Sequence, residues 1–349
     1  MSEPGFRPVF SLSRGGQQES VHYGAIAVVD VHGNLLASYG DPHLKAFLRS
    51  AAKPFQVMPF VQAGGLDHYR ITPQELALMC ASHSGTDEHV AVLYGLMQKT
   101  GIAEAQLQCG THPPYHAPTA ERLQRAGLLA TAERHNCSGK HTGMLAYTRL
   151  RGWDVDSYVD ATHPLQQEIL GLFAQIAGMQ VGELAVGIDG CSAPNWAAPL
   201  YNTALAYARL ADPSGLPAAQ ADACAQIAAA MRAHPDMVGG PERFDTELMQ
   251  AAAGQMVTKV GADGFQAIGL APGVLGAGAP AAGIALKIAD GDARKWANHA
   301  VALEVLRQLG ALTAGQLTAL SSYGPLRPVT NWSGITVGLA EPVFTLERA

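Results

Sequence analysis

Short apolar runs divided by turn residues occupy both ends of the chain, whereas its middle repeats apolar positions at helical spacing. At the front, His22 to Asp30 reads as a strand, His32-Gly33-Asn34 as a turn and Leu35 to Tyr39 as the returning strand. Towards the back, Gln255–Val260, Gly264–Leu270 and Gly283–Ala289 are short apolar runs separated by Gly and Asp, a pattern that suits antiparallel strands. A helix is expected from Asp292 to Leu309, closed by Gly310, with a further strand in Gly334–Leu346. Between the ends, Thr72 to about Met231 reads as mainly helical. Leu165, Ile169, Leu172, Phe173 and Ile176 after Pro164 show that period best. Another helix is expected from Ser50 through Phe55, Met58, Phe60 and Val61 to the stop at Gly64-Gly65.

The implied architecture is an antiparallel sheet built from both chain ends with a helical insert. It is α/β in content (α+β), without the alternating βαβ rhythm of a parallel sheet. We expect a single catalytic unit over 1–349, sheet-rich in 1–49 and 240–349 and helical in 50–239. The 349 residues are 48% hydrophobic and 15% charged, which excludes disorder and leaves ample material for a core. The net charge is -6, and the 23 basic residues are sixteen arginines and only seven lysines, a poor basis for holding a nucleic-acid backbone. Residues 1–20 lack the apolar core of a signal peptide, and the longest uncharged apolar stretch, Phe265–Leu286, is broken by Pro272, Pro280 and several glycines. No membrane span is expected. Five widely spaced cysteines argue against a disulfide framework and for a cytoplasmic protein with reduced thiols.

Three motifs fail on inspection. Ser138-Gly-Lys140-His141 lacks the upstream glycine and the Ser/Thr of a phosphate loop, Gly276-Ala-Gly278 lacks the third glycine of a dinucleotide site, and no His-Glu-x-x-His occurs. Others carry chemistry. Ser50-Ala-Ala-Lys53 sets a hydroxyl and an amine one helical turn apart, so a neutral Lys53 could take the Ser50 proton. Neutrality has a definite cost: lowering a lysine pKa from about 10.4 to about 7 takes roughly 4–5 kcal/mol of burial or cationic repulsion. An N-cap serine with a solvated lysine has the same spacing. Ala81-Ser82-His83-Ser84-Gly85-Thr86-Asp87 collects small polar groups ahead of a helix expected near Glu88; a plain N-cap and turn would look alike. Lys259 falls in an expected strand before Gly261, where it would reach either a cleft or the edge of a sheet. Cys137, with Lys140 and His141 close behind it, and Cys191 in Asp189-Gly-Cys-Ser-Ala-Pro sit in polar, Gly-rich settings. Their chemistry suits a soft-to-borderline metal, a Cys nucleophile assisted by His141, or buried thiols, while Cys80, Cys109 and Cys224 look like core residues.

Together, Arg49-Ser50-Ala-Ala-Lys53-Pro-Phe-Gln, Cys80-Ala-Ser82-His-Ser84-Gly, Asn136-Cys137-Ser-Gly-Lys140-His141-Thr-Gly-Met and Asp189-Gly-Cys191-Ser-Ala-Pro resemble the Rhizobium-type L-asparaginases over roughly Phe10 to Leu309. The resemblance implies a fold similar to serine β-lactamases and glutaminases, with Ser50-x-x-Lys53 and Lys259-Val-Gly261 in the places of two of their motifs. It implies two catalytic Ser-Lys pairs, Ser50 with Lys53 and Ser82 with Lys259, whose lysines would depress each other's pKa. It further implies zinc on Cys137, Lys140 and Cys191, supporting or substrate-binding roles for Arg49, His141 and Asp189, and a homodimer. The expected activity is hydrolysis of the L-asparagine side-chain amide. Other expectations are a different Ser-Lys amidase (a glutaminase, or a β-lactam or peptide hydrolase) and a non-catalytic amide- or metal-binding protein.

Overall fold

The computed structural model describes residues 5–349, and the start of the N-terminal segment considered above, residues 1–4, lies outside the described residues. The chain forms two compact units: one of residues 1–51, 198–212 and 251–349, the other of 52–197 and 213–250.

The first unit is organised by a nine-stranded sheet whose spine runs Arg327–Thr330, Thr336–Pro342, Arg7–Arg14, Gln17–Asp30, Ala282–Ile288, Phe265–Leu270 and Met256–Gly261. Leu35–Tyr39 pairs with Gln17–Asp30, Glu347–Arg348 pairs with Leu35–Tyr39, and these ladders are antiparallel. The sheet therefore draws on both chain ends, as its apolar patterning predicts. Two of its hairpins were not expected. Gly15 and Gly16, at φ +55° and +80°, turn Arg7–Arg14 into Gln17–Asp30, the pair of positive φ values a tight two-residue hairpin needs. The expected C-terminal strand is a hairpin of Arg327–Thr330 with Thr336–Pro342, followed by the short strand Glu347–Arg348.

Phe265–Leu270 is buried along its whole length and Ala282–Ile288 nearly so, as strands with cover on both faces are. That cover comes from two helices, Leu200–Ala211 and Trp296–Leu309. The first seats unusually close because its cross-strand partners are glycines: Gly269 stands opposite Gly283. A Cβ on Gly283 would lie 1.8 Å from Ala204 O, and one on Gly269 would lie 2.5 Å from Tyr207 O. The second helix starts later than Asp292. Lys295 adopts φ +57°, and the Asp292 carboxylate instead accepts the N–H groups of Trp296 (3.2 Å) and Asn298 (2.8 Å), capping the helix from outside it.

The second unit is mainly helical. The helix expected to start at Ser50 is broken: a 3₁₀ turn Arg49–Ala52 leads into the short helices Lys53–Gln56 and Met58–Gln62. Pro54 and Pro59 lack the N–H a continuing helix requires and each stands in the first turn of a new one. Asp87–Thr100 begins one residue before Glu88, with Thr86 as N-cap. The helical stretch is also interrupted by an unexpected hairpin of Ala185–Ile188 with Pro194–Pro199. No helix among the described residues is long and apolar enough to cross a membrane.

Candidate functional site

Ser50, Arg49 and Lys259 belong to the first unit, which holds the Ser50 turn in three ways. Arg49 takes φ +51°, a left-handed conformation uncommon outside glycine, and its guanidinium pairs with Asp263. Tyr207, on the closely seated helix, donates its hydroxyl to Ala51 O at 2.7 Å. The third hold is at Gly261, where a Cβ would stand 2.5 Å from Leu48 O, so glycine lets the end of strand Met256–Gly261 lie against the chain entering the turn. Ser50 is half-buried; Lys259 is fully buried, its ammonium donating to Val260 O at 3.2 Å.

Lys53, Ser82 and the Cys/Lys/His residues belong to the second unit. Lys53 is buried, and its Nζ lies 2.9 Å from Ser82 Oγ and 3.2 Å from Asn136 O, with Ala81 O a further acceptor at 2.5 Å. Hydroxyl and carbonyl oxygens are joined by the Cys137 sulfur as partners, and no carboxylate pairs with this amine among the described residues. Burial is the main cause that lowers the Lys53 pKa; the Cys137 thiol opposes it, and the Lys140 ammonium adds to it. Ser82 sits in the loop between helices Pro73–Met79 and Asp87–Thr100, its N–H bonded to Val238 O at 3.0 Å.

Asn136-Cys137 leads into helix Ser138–Leu150. Gly139 and Gly143 form one face of that helix. A Cβ at 139 would stand 2.3 Å from Leu78 O and one at 143 would stand 3.3 Å from Met79, so the helix nestles against Pro73–Met79. His83 holds the junction: its Nδ1 accepts from Gly85 N at 3.1 Å, leaving Nε2–H to donate to Ser138 Oγ at 2.8 Å, and Ser138 in turn donates to Glu133 O.

Cys191 is presented by the loop joining the unexpected hairpin, closed by Asp189 N–H to Ala193 O (2.9 Å) and with Ser192 at φ +70°. Lys140 Nζ lies 2.8 Å from Cys191 Sγ, and both residues are buried. The two sulfurs act on each other's charge in opposite directions. The hydrogen bond from Cys191 holds Cys137 well below the usual thiol range, and the same bond, with burial, pushes Cys191 up. Burial alone would lower Lys140, but the Cys191 and Cys137 sulfurs outweigh it and keep the ammonium charged. His141 is pulled to about 4 by burial and then by Lys140, so it is neutral; Tyr158 OH bonds its Nδ1 at 2.7 Å, and its buried Nε2 has no hydrogen-bond partner among the described residues. The five cysteines are all buried and none forms a disulfide. No group of three or more His, Cys, Asp or Glu side chains among the described residues is arranged to hold a metal.

The structure thus gathers Lys53 with Ser82, and Cys137 with Lys140, His141 and Cys191; Asp189 acts electrostatically on Lys140. Sequence reasoning gave no role to Tyr207, Tyr158 or the Asn136 carbonyl. Only the glycines, Gly139, Gly261 and Gly283, could have signalled the close approaches that set these partners in place.

The buried histidines give a stability prediction. His89 Nε2 donates to Asp236 O at 3.0 Å, and burial lowers its pKa to about 4. An unfolded histidine titrates near 6.5, so between about pH 6.5 and 4 the unfolded chain binds a proton that the folded chain refuses. Stability from this group is complete above 6.5, falls by about 3 kcal/mol down to pH 4 and changes no further below it. Urea unfolding at pH 7 and 4.5 should show the loss, and a His89→Gln variant should have a shallower pH dependence.

Residues 10–342 match the L-asparaginase II family. Among curated proteins none matches the chain. A solved probable glutaminase from Bacillus subtilis, complexed with 6-diazo-5-oxo-L-norleucine, is 12% identical with a TM-score of 0.41, covering 83% of this chain and 84% of its own. A covalent 5-oxo-L-norleucine complex of a Bacillus subtilis glutaminase is 14% identical with a TM-score of 0.36, covering 81% and 88%. Overlap at this level carries nothing about chemistry. The family match, by contrast, spans both units and every residue assembled above, and the chain belongs to the L-asparaginase II family of amidohydrolases.

Proposed function

We propose that this amidohydrolase cleaves the side-chain amide of L-asparagine to L-aspartate and ammonia, with Ser50 as nucleophile. The observation that carries the reading is the environment of Lys53, a buried amine 2.9 Å from the Ser82 hydroxyl whose pKa burial lowers against the pull of the Cys137 sulfur. Lys53 in its neutral form takes the Ser50 proton as Oγ attacks the amide carbon, and backbone N–H groups stabilise the resulting oxyanion. The lysine returns that proton to the departing nitrogen, ammonia leaves, and a β-aspartyl ester remains on Ser50. Water, deprotonated by the same amine, cleaves the ester. Ser82 relays protons with Lys53, and Lys259 supplies a second amine to the set. Arg49 holds the nucleophile's turn, and Asp189 and His141 serve the substrate or the sulfur cluster.

The proposal includes zinc on Cys137, Lys140 and Cys191. The donor chemistry fits: two buried sulfurs, one already biased to thiolate, stand with an amine 2.8 Å from Cys191. Lys140 must lose its proton to bind, and the Cys191 thiol would shed its own as the metal enters. Bound there, zinc would supply a Lewis-acidic anchor for substrate. We further propose a cytoplasmic homodimer; five cysteines outside any disulfide suit a reducing compartment.

The test is ammonia release from L-asparagine and L-glutamine, paired with elemental analysis of the same preparation. The expected result is turnover of asparagine well above glutamine and about one zinc per chain. Preference for glutamine overturns the substrate assignment, absence of ammonia from both overturns the reaction, and full activity without zinc removes the metal from the proposal.

A further inference from the structure

Ser82 and Ser84 lie in a loop clasped by Val238–Arg243 within the second unit. Ser84 Oγ donates to Gly239 O at 2.8 Å and accepts from Arg243 Nη1 at 3.3 Å. Gly240, at φ +115°, permits the clasp, because a Cβ there would stand 2.9 Å from Ser84 Oγ and 3.0 Å from His89 Cε1. The guanidinium carbon of Arg243 also lies 5.6 Å from the Tyr115 ring centroid. Burial pushes the Tyr115 phenol up, the Cys137 and Asp189 charges add to that, and the Arg243 guanidinium opposes it.

Arg243 is poorly matched by its own protein. A guanidinium has five N–H donors, and this half-buried one makes a single long hydrogen bond and pairs with no carboxylate among the described residues. Arg134, facing the same loop, differs: it donates to Gly85 O and to the Asp87 carboxylate, both at 2.8 Å. Arg134 is therefore satisfied within the chain, while most of the Arg243 donors have no partner among the described residues.

We propose that Arg243 binds the α-carboxylate of the amino-acid substrate and so selects substrates that carry one. A carboxylate matches the planar fork of the guanidinium through two parallel hydrogen bonds, which a lysine cannot reproduce. The loop bonds fix the distance between this anchor and the Ser82–Lys53 pair, and so which amide of the bound substrate reaches the reacting groups. The assignment rests on the amide-hydrolysis reading above and names the feature of the substrate that the site recognises.

The experiment compares L-asparagine with 3-aminopropanamide, which is asparagine without its α-carboxylate, in the wild type and in Arg243→Met and Arg243→Lys. In Arg243→Met, kcat/KM for asparagine should fall on the order of a hundredfold, mostly through KM, with 3-aminopropanamide unchanged. Arg243→Lys should recover part of the loss. Equal losses on both substrates, or none on asparagine, overturn the assignment. Calorimetry with L-aspartate and β-alanine separates this inference from the reaction itself. If the wild type releases no ammonia, the amide reading fails. The carboxylate contact still stands if L-aspartate binds the wild type and not Arg243→Met, and it falls if both proteins bind L-aspartate equally or neither binds it.

Discussion

Ser50→Ala should leave the protein folded and abolish ammonia release, lowering kcat on the order of 10⁴-fold or more with L-asparagine binding retained. Ser50 is half-buried, and the bonds that shape its turn come from its neighbours: the Arg49 side chain and the Ala51 carbonyl. Removing Oγ therefore deletes the proposed nucleophile without disturbing its support. Steady-state ammonia assays with circular dichroism and L-aspartate calorimetry check the result; activity within tenfold of wild type would exclude Ser50 as the nucleophile. Lys53→Arg is the informative companion. A guanidinium does not give up its proton in a protein, so the variant is permanently charged and loses the base. It should be nearly as inactive as Ser50→Ala, since general-base catalysis is typically worth 10²–10⁴-fold.

The largest expected effect on stability is at Gly283. Its absent side chain lets Ala204 O approach to 1.8 Å from where a Cβ would stand, with Ala208 N at 2.7 Å. Both obstacles are backbone, so no rotamer change relieves them. Gly283→Ala must lift helix Leu200–Ala211 from the sheet or bend strand Ala282–Ile288. Overpacking ordinarily costs about 1–3 kcal/mol, and this unrelieved clash should cost about 3 kcal/mol or more. Urea unfolding gives the value, and a cost below about 1 kcal/mol would show that the helix is not seated as described. The same helix carries Tyr207, whose hydroxyl holds Ala51 beside Ser50, so Gly283→Ala should also lower kcat in the protein that still folds. A glycine with no functional group is thus tied to the nucleophile through packing.

Particular elements show how far the sequence could be read. The strands Met256–Gly261, Phe265–Leu270 and Ala282–Ile288 were legible to within a residue or two, because apolar runs punctuated by Gly and Asp leave few other options. Arg7–Arg14 was missed although Gly15-Gly16 is a hairpin turn; its strand has polar residues at the sheet's solvated end and gives little apolar signal. The helix after Ser50 was placed correctly but continuous, since apolar spacing outweighed Pro54 and Pro59. The hairpin that presents Cys191 was hidden in a stretch rich in alanine and glycine, residues that favour neither period strongly. Of the candidate site, the residues with distinctive chemistry were legible: Ser50, Lys53, Ser82, Cys137, Lys140, Cys191 and Lys259. Those acting through common groups were not, among them the Tyr207 hydroxyl, the Asn136 carbonyl and the Arg243 guanidinium.

Local sequence alone set the two element types, the antiparallel character of the sheet and the short motifs that carry reactive groups. Backbone propensity, turn chemistry and apolar spacing act over a few residues, and they are written in consecutive letters. Tertiary structure alone decided that Lys53 meets Ser82 and Asn136, that Lys140 meets Cys191 across 51 positions, and that Arg243 lacks the carboxylate Arg134 has. These are long-range contacts, and each depends on burial and electrostatic matching that arise only when distant segments close-pack around glycines. The charge state of a lysine or a thiol is therefore a property of the assembled interior, not of the motif that contains it.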